Sequence, residues 1–486
     1  MGPSHVSYMQ MEPKTLTSRF ARFWSELQPE SVPSDVRQVA RWLLLDTIGC
    51  IAAALRTGPA QQIASVGELF GGADAVAEAG VKKPQGVARA AYVNARLANL
   101  LDFDETYPVG VHFGVGAVAA AIAGVQAANG NFSDLLIATV AGYEAGARLA
   151  SAIGPMMSVS DGEVTGFSQV WGVAAPVVVA ACVAYGRALG LDSQQMVQAL
   201  GIAGSNIPLP IGSKWSGAEH LPDVKYCDAG WCTVAGIHAV QSVQAGLTGF
   251  DDILDGISGI PEAYSATMPN HGLMQDGLGE RWHLRDITFK PWPSCRFMHA
   301  PLTALERLIN REEIRADEVE EVVIETGPLA DSARFRNAAP RTFAGHQFSY
   351  AHNCAMLLMR VPPGPGWFDM EIATSPLAMA LRAKVLIKRA EFANSFAKHM
   401  VNNQIRVMPG AATVRTTRGE WTLRSDYADG DPWDETTRYD EKRVLDKFLT
   451  ANPDISAKNF SRWLLEVDAA SPLNTLDEYL RELAKS

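Results

Sequence analysis

From about residue 14 to 283 the apolar positions recur at helical spacing, in Ala- and Gly-rich segments long enough for whole helices, with little of the two-residue alternation of strands. Start signals accompany them: Pro33-Ser34-Asp35 precedes Val36–Leu55, Ser133-Asp134 precedes Leu135–Ala150, and Leu191-Asp192-Ser193 precedes Met196–Ala203. Gly114–Ala128 reads as a central helix, because alanine costs no side-chain entropy and lets backbones approach. The longest apolar run, Val170 to Tyr185, is broken by glycine and proline and is shorter than a membrane span, so it predicts a buried helix.

Between about 284 and 433 the pattern changes. Glu320–Thr326 and Gln404–Val407 read as strands, and Thr413–Arg415 with Trp421–Arg424 flank Thr417-Arg418-Gly419-Glu420 as a hairpin. Helical spacing returns at Pro301–Asn310, Ser349–Met359 and Leu377–Lys388, while Pro362-Pro363-Gly364-Pro365-Gly366 marks a loop. From Thr437 the chain is helical again, and Glu441–Leu449 and Ser461–Leu465 are placed to rejoin the first part. The expected architecture is mainly α with an α+β lid. A helical domain built from residues 14–283 and 434–486 holds a smaller α+β domain, 284–433, inserted between its two segments.

At 486 residues the chain exceeds the size at which one core keeps growing, which agrees with more than one domain. Hydrophobic residues at 47% and charged residues at 20% place it among folded globular proteins. A formal net charge of −11 argues against nucleic acid or an anionic membrane as partner, so an acidic substrate would need a local basic pocket. The six cysteines, Cys50, Cys182, Cys227, Cys232, Cys295 and Cys354, form no C-x-x-C pair, no zinc-type spacing and no iron–sulfur run. A reduced, cytoplasmic protein without a metal is expected. Residues 1–13 lack the order of a signal peptide and are expected to be a disordered leader.

Three segments carry candidate chemistry. In the first, Leu101-Asp102-Phe103-Asp104-Glu105-Thr106-Tyr107 is followed by His112 in Val111-His112-Phe113-Gly114. Carboxylates, a hydroxyl and an imidazole at this spacing can move a proton near neutral pH. Equally, Asp102 and Asp104 could cap a helix and His112 could be a hydrogen-bonded core residue. The second, Lys214 to Trp231, places Lys225 near a helix start, where a cation is disfavoured unless an anion accompanies it; a solvated lysine is the alternative. The third, Phe289-Lys290-Pro291-Trp292-Pro293-Ser294-Cys295-Arg296-Phe297-Met298-His299, joins the two domains. Its prolines fix a path on which Cys295, Arg296 and His299 can face an interdomain cleft, with arginine suited to a carboxylate. A rigid strap is the alternative.

Together these segments resemble the MmgE/PrpD family, whose members include 2-methylcitrate dehydratase, cis-aconitate decarboxylase and iminodisuccinate epimerase. The resemblance rests on Leu44-Leu45-Asp46-Thr47-Ile48-Gly49-Cys50, Leu101 to Thr106 with His112, Lys225 before Gly230, Gly246-Leu247-Thr248-Gly249, the Phe289 to Cys295 segment with His299, and Gly430-Asp431-Pro432. It implies a helical domain from two segments, an α+β lid and a homodimer. It also implies a pocket of Asp102, Thr106, His112 and Lys225, with Tyr350 or His352 contributed by the lid. Where the family often shows a histidine after Gly-(Phe/Trp), this chain has Ser168 in Gly166-Phe167-Ser168, and His220 is a candidate substitute.

The family reactions share charge developing on the carbon beside a carboxylate. The resemblance therefore implies a cofactor-independent lyase for a small di- or tricarboxylate, with dehydration first and decarboxylation or epimerisation as alternatives. In that reading Lys225 and Arg296 hold carboxylates, Asp102 and Thr106 orient the reacting end, and His112 exchanges the proton. A non-catalytic relative that binds an acid or a protein partner is the alternative of another class.

Overall fold

Small residues set the helical body. In the computed structural model, which describes residues 14–483 apart from 73, 74, 161, 162, 266–268 and 395, the Ala174–Ala188 helix packs against Gly114–Ala127, Phe132–Ile153, Ser193–Ser205 and Ala229–Gln244. A Cβ on Gly142 would lie 2.7 Å from the Ala180 carbonyl oxygen, and one on Gly236 would lie 2.6 Å from that of Val178. The helices therefore meet backbone to backbone at positions only glycine allows. Gly114–Ala127 and Phe132–Ile153 are buried along nearly their whole lengths, as befits helices apolar on every side. Caps are secondary: Asn131 and Asp134 bond each other's backbone N–H at 3.1 and 2.9 Å, and Asp192 accepts from Gln195 N at 2.8 Å. A cap contributes about 1 kcal/mol, whereas burying one Leu, Ile or Phe contributes about 1.5–3 kcal/mol, so packing decides the arrangement.

The C-terminal segment belongs to the same body. The Glu441–Ala451 helix lies on Ser34–Ala54, where Asn452 Nδ2 donates to the Gly49 carbonyl at 3.1 Å and a Cβ on Gly49 would meet Phe448 at 2.5 Å. Ile455–Glu466 and Asn474–Glu482 follow it.

The smaller unit is α+β. Its sheet contains β3 (Val319–Thr326), β4 (Val385–Arg389), β5 (Gly410–Thr416) and β6 (Gly419–Ser425), numbered after a separate hairpin of β1 (Met157–Ser160) and β2 (Glu163–Phe167). The order is β4-β3-β5-β6; β4 runs parallel to β3 and the other pairs are antiparallel. The His299–Arg311 helix covers β5 and β6, and Tyr350–Leu358 packs on Pro376–Arg382 and β4. The molecule is thus a large helical domain with a smaller α+β domain. Among the described residues no helix is long and apolar enough to cross a membrane.

Four local expectations are corrected. The run from Val170 yields a helix only from Ala174, because Trp171 N is taken by the Pro210 carbonyl at 3.1 Å and Pro176 suits a first turn. Leu377–Lys388 divides into the Pro376–Arg382 helix and β4, since Val385-Leu386-Ile387 finds a parallel partner in Val322-Val323-Ile324. Gln404–Val407 joins no sheet: Ile405 N bonds the Pro108 carbonyl at 2.6 Å, and Gln404 Nε2 bonds Tyr107 Oη at 2.6 Å and Asp286 Oδ2 at 2.9 Å. The β1–β2 hairpin interrupts a segment read as wholly helical. It is anchored by Met157 in a small apolar cluster with Ala397, Ile405 and Met408. The leader expected over 1–13 lies outside the described residues.

Gly430 (φ +89°) sits where a Cβ would run into the Phe289 carbonyl. Gly430→Ala should lower the unfolding free energy by roughly 2 kcal/mol or more, measured by urea denaturation. Parent-like stability would mean that the Phe289 strap yields freely.

Candidate active site

The acidic segment lies between the Val87–Ala98 helix and the Gly114–Ala127 helix and is itself neither helix nor sheet strand. Its residues Leu100–Thr106 are buried. An unpartnered buried carbonyl costs about 1–3 kcal/mol; the Asn99 carbonyl accepts Asp102 N at 3.2 Å within the segment, and further donors come from elsewhere. Lys225 Nζ donates to the Asn99 carbonyl at 2.6 Å, Gln347 Nε2 to that of Leu100 at 2.7 Å and Lys290 Nζ to that of Asp102 at 2.5 Å. Lys447 Nζ donates to the Phe103 carbonyl at 2.6 Å and His112 Nδ1 to that of Glu105 at 2.7 Å. Thr106 exchanges two backbone bonds with Thr288, at 3.0 and 3.1 Å. Asp102 and Lys225 both take left-handed backbone angles, φ +54° and +59°, a strain of order 1 kcal/mol each that these contacts hold in place.

Neither Asp102 nor Asp104 caps a helix. Glu105 does so, with Oε1 accepting Gly114 N at 2.7 Å. Asp102 Oδ1 is 2.9 Å from Lys225 Nζ and 3.9 Å from His112 Nε2, and Oδ2 is 3.2 Å from Lys290 Nζ. Asp104 Oδ2 lies 3.2 Å from His112 Nδ1 and accepts from Asn99 Nδ2 at 3.1 Å. Thr106 Oγ1 is 3.1 Å from His112 Nε2, and the imidazole stacks on Tyr226 at 5.7 Å. Because the Glu105 carbonyl can only accept, the neutral imidazole carries its hydrogen on Nδ1 and presents a lone pair at Nε2.

Burial alone would raise the Asp102 pKa, but Lys225, Lys290 and His112 outweigh it and hold this carboxyl well below the usual range. Burial also works against ionised Asp104, and His112 foremost, with both lysines, brings its pKa below the ordinary value. Burial lowers the pKa of Lys225, opposed by Asp102 and Asp104. Burial, followed by the charge of Asp104, pushes Glu105 up to about 8, leaving it mostly protonated at neutral pH. Two carboxylates thus balance two ammonium groups beside one imidazole.

The structure brings Asp102, Thr106, His112 and Lys225 together. Cys295 lies beside them, its backbone N bonded to the Gln347 carbonyl at 2.9 Å. Burial and then the charge of Asp102 raise its thiol to about 12, which disfavours the thiolate a nucleophile needs. Arg296 is already committed, paired with the buried Asp431, which also accepts from Thr288 Oγ1 at 3.2 Å. His299 is bonded to Ser294 Oγ at 3.0 Å and is held neutral by burial, then by Lys290 and Arg296. Both His352 ring nitrogens are engaged, by Arg382 Nη2 at 2.5 Å and the Trp367 carbonyl at 2.8 Å, while Tyr350 is buried against Phe335. Ser168 follows β2 and bonds the Met156 carbonyl, at 3.3 Å from its N and 3.5 Å from Oγ. His220 faces Asn337 Nδ2 at 3.3 Å. None of the described contacts of Ser168, His220, Tyr350 or His352 reaches the Asp102 cluster, because the α+β unit and the surface loops use these side chains for their own bonds.

Lys290 is the residue that sequence reasoning named without giving a role. It is fully buried, and a buried lysine in a proline-fixed strap requires a counter-ion, which was the available signal. Asn99 and Tyr226 carried no such signal, and Glu105 was read among the carboxylates of the acidic segment without a role of its own. A cavity of about 360 Å³ opens beside Lys225 and Tyr226, with Ile211, Trp215, Val224 and Trp231 among its walls. Among the described residues no group of three or more His, Cys, Asp or Glu is arranged to hold a metal ion.

The MmgE/PrpD N-terminal domain matches residues 18–271 and the MmgE/PrpD C-terminal domain matches residues 292–466. A cis-aconitate decarboxylase from Aspergillus terreus is 25% identical over 308 residues, 61% of this chain and 60% of the relative. A cis-aconitate decarboxylase-like protein from Aspergillus oryzae is 24% identical over 307 residues, 60% of this chain and 61% of the relative. The chain therefore spans only about three fifths of the length of these relatives.

Glu105 provides a pH test. Its folded pKa, about 8, lies above the ordinary 4.5, so the folded state holds the extra proton and stability falls as pH rises between those values. Glu105→Gln removes this dependence while keeping the bond to Gly114 N. Urea denaturation at pH 5 and pH 8 should show the variant gaining on the parent as pH rises; an equal difference at both would place the Glu105 titration elsewhere.

Proposed function

Because this chain belongs to the MmgE/PrpD family, we propose that it is a lyase acting on a small di- or tricarboxylate by stabilising charge on the carbon beside a carboxylate. One observation carries this reading: two buried ammonium groups, of Lys225 and Lys290, converge on a single carboxylate next to an imidazole whose Nε2 lies 3.1 Å from Thr106 Oγ1. A substrate carboxylate competes with Asp102 for these lysines. Fixed cations at the oxygens of a developing enediolate stabilise it without reorganisation, the largest single contribution in most such sites. Carboxylate binding falls to Lys225 and Lys290, since Arg296 is held by Asp431. Thr106 and Asp102 orient the reacting end, and His112 exchanges the proton at Nε2.

The relatives favour carbon dioxide over water as the leaving group. Loss of carbon dioxide from one arm of an unsaturated tricarboxylate leaves an electron pair that spreads through the double bond into the remaining carboxylate. His112, protonated from solvent, delivers a proton to the α-carbon and completes the exchange of carbon dioxide for hydrogen. This sequence uses no cofactor. The six unpaired cysteines support a reducing, cytoplasmic setting, and a homodimer is the assembly expected.

The test is incubation with cis-aconitate in deuterated buffer, followed by NMR. Carbon dioxide release with one deuterium at the α-carbon supports the proposal; interconversion with a hydroxy acid would assign dehydration instead. His112→Gln should lower kcat by about a hundredfold or more, and Lys225→Met should mainly raise KM. Binding of several polycarboxylates with no α-carbon exchange in any would make the protein a non-catalytic acid binder.

A further inference from the structure

Lys447, on the Glu441–Ala451 helix, is a third lysine that ends on the acidic loop, and no role above uses it. Its Nζ donates to the Phe103 carbonyl at 2.6 Å, lies 2.5 Å from Asp46 Oδ1 in the Ser34–Ala54 helix, and sits 4.2 Å from the Phe103 ring centroid. Phe103 separates Asp102 from Asp104. The preceding carbonyl, of Asp102, is held by Lys290. Two successive peptides of the loop are thus gripped by ammonium groups from different parts of the chain, and the side chains on either side of Phe103 reach the lysine pair and the imidazole. A cavity of about 290 Å³, with Phe103, Pro291, Trp292 and Lys447 among its walls, borders this contact. The loop has room to shift when the lysine is shortened.

We propose that Lys447 is a positioning residue: by fixing the Phe103 peptide it sets Asp102 against Lys225 and Lys290 and Asp104 against His112. The inference rests on reading that cluster as the reacting centre. A merely structural Lys447 would do no more than neutralise the buried Asp46.

The two roles separate in the full-length protein carrying Lys447→Met, Asp46→Asn/Lys447→Met or Asp46→Asn. Three readouts are taken: thermal unfolding, the Cε1 resonance of His112 in ¹³C-histidine-labelled protein (assigned by its loss in His112→Gln), and turnover of cis-aconitate. Lys447→Met should lower the melting temperature, and the double variant should recover much of it because no unpaired charge stays buried. Both should still show a displaced His112 resonance, with kcat reduced about tenfold or more and KM changed by less than about threefold. A double variant whose resonance and kcat match the parent's would overturn the proposal. If the double variant does not fold, Asp46→Asn decides: it keeps the bond to Phe103 and should leave the His112 resonance in place, whereas displacement there would assign the effect to Asp46. Failure of the parent to turn over cis-aconitate would count against the proposed reaction alone, since the resonance and unfolding readouts need no substrate.

Discussion

The site depends on how a buried stretch of irregular backbone satisfies its carbonyl oxygens. From Asn99 to Glu105 the chain is neither helix nor sheet, and apart from the turn bond of Asp102 N to the Asn99 carbonyl its carbonyls look to other parts of the protein, inside which it lies. Lysines 225, 290 and 447, Gln347 and His112 supply the donors. Each brings a polar or charged head into a region that would otherwise be apolar, so the same groups that make the loop foldable also give it chemistry. Asp102 and Asp104 then follow as the counter-charges that let two of the lysines and the imidazole stay buried.

This arrangement links stability to function. Asp102 occupies both Lys225 and Lys290, standing where a substrate carboxylate group would bind in the proposed reaction. Asp102 aligns the lysines, and the left-handed backbone at Asp102 and Lys225 records the strain that this alignment costs. Glu105, mostly protonated, caps the helix behind the imidazole without adding a further negative charge.

Much of the architecture was legible because it rests on periodicity. The Gly and Ala spacing marked the close-packed helices, and Glu320–Thr326 read as a strand, which the structure forms as Val319–Thr326 in the interior of the sheet. Asp102, Thr106, His112 and Lys225 could be named from residue type and resemblance, and they lie together. What could not be read depends on contacts far apart in the chain. Nothing near Lys290 announces Asp102, and Lys447, in an amphipathic helix, looks like any solvated lysine until Phe103 and Asp46 are seen above it. Arg296 looked free for a ligand because Asp431 is distant in sequence. The β4 strand was hidden because it follows a helix after only two residues, with no glycine or proline between them.

The three lysines also impose an order on how the protein matures. As the chain leaves the ribosome, the acidic loop emerges first, Lys225 and Lys290 follow, and Lys447 comes after both. Since domains fold as they are translated, the Phe103 peptide must wait, unbonded, for the last of its clamps. A nascent chain that has made the first segment of its helical body and its α+β unit still lacks the Lys447 contact that closes the acidic loop.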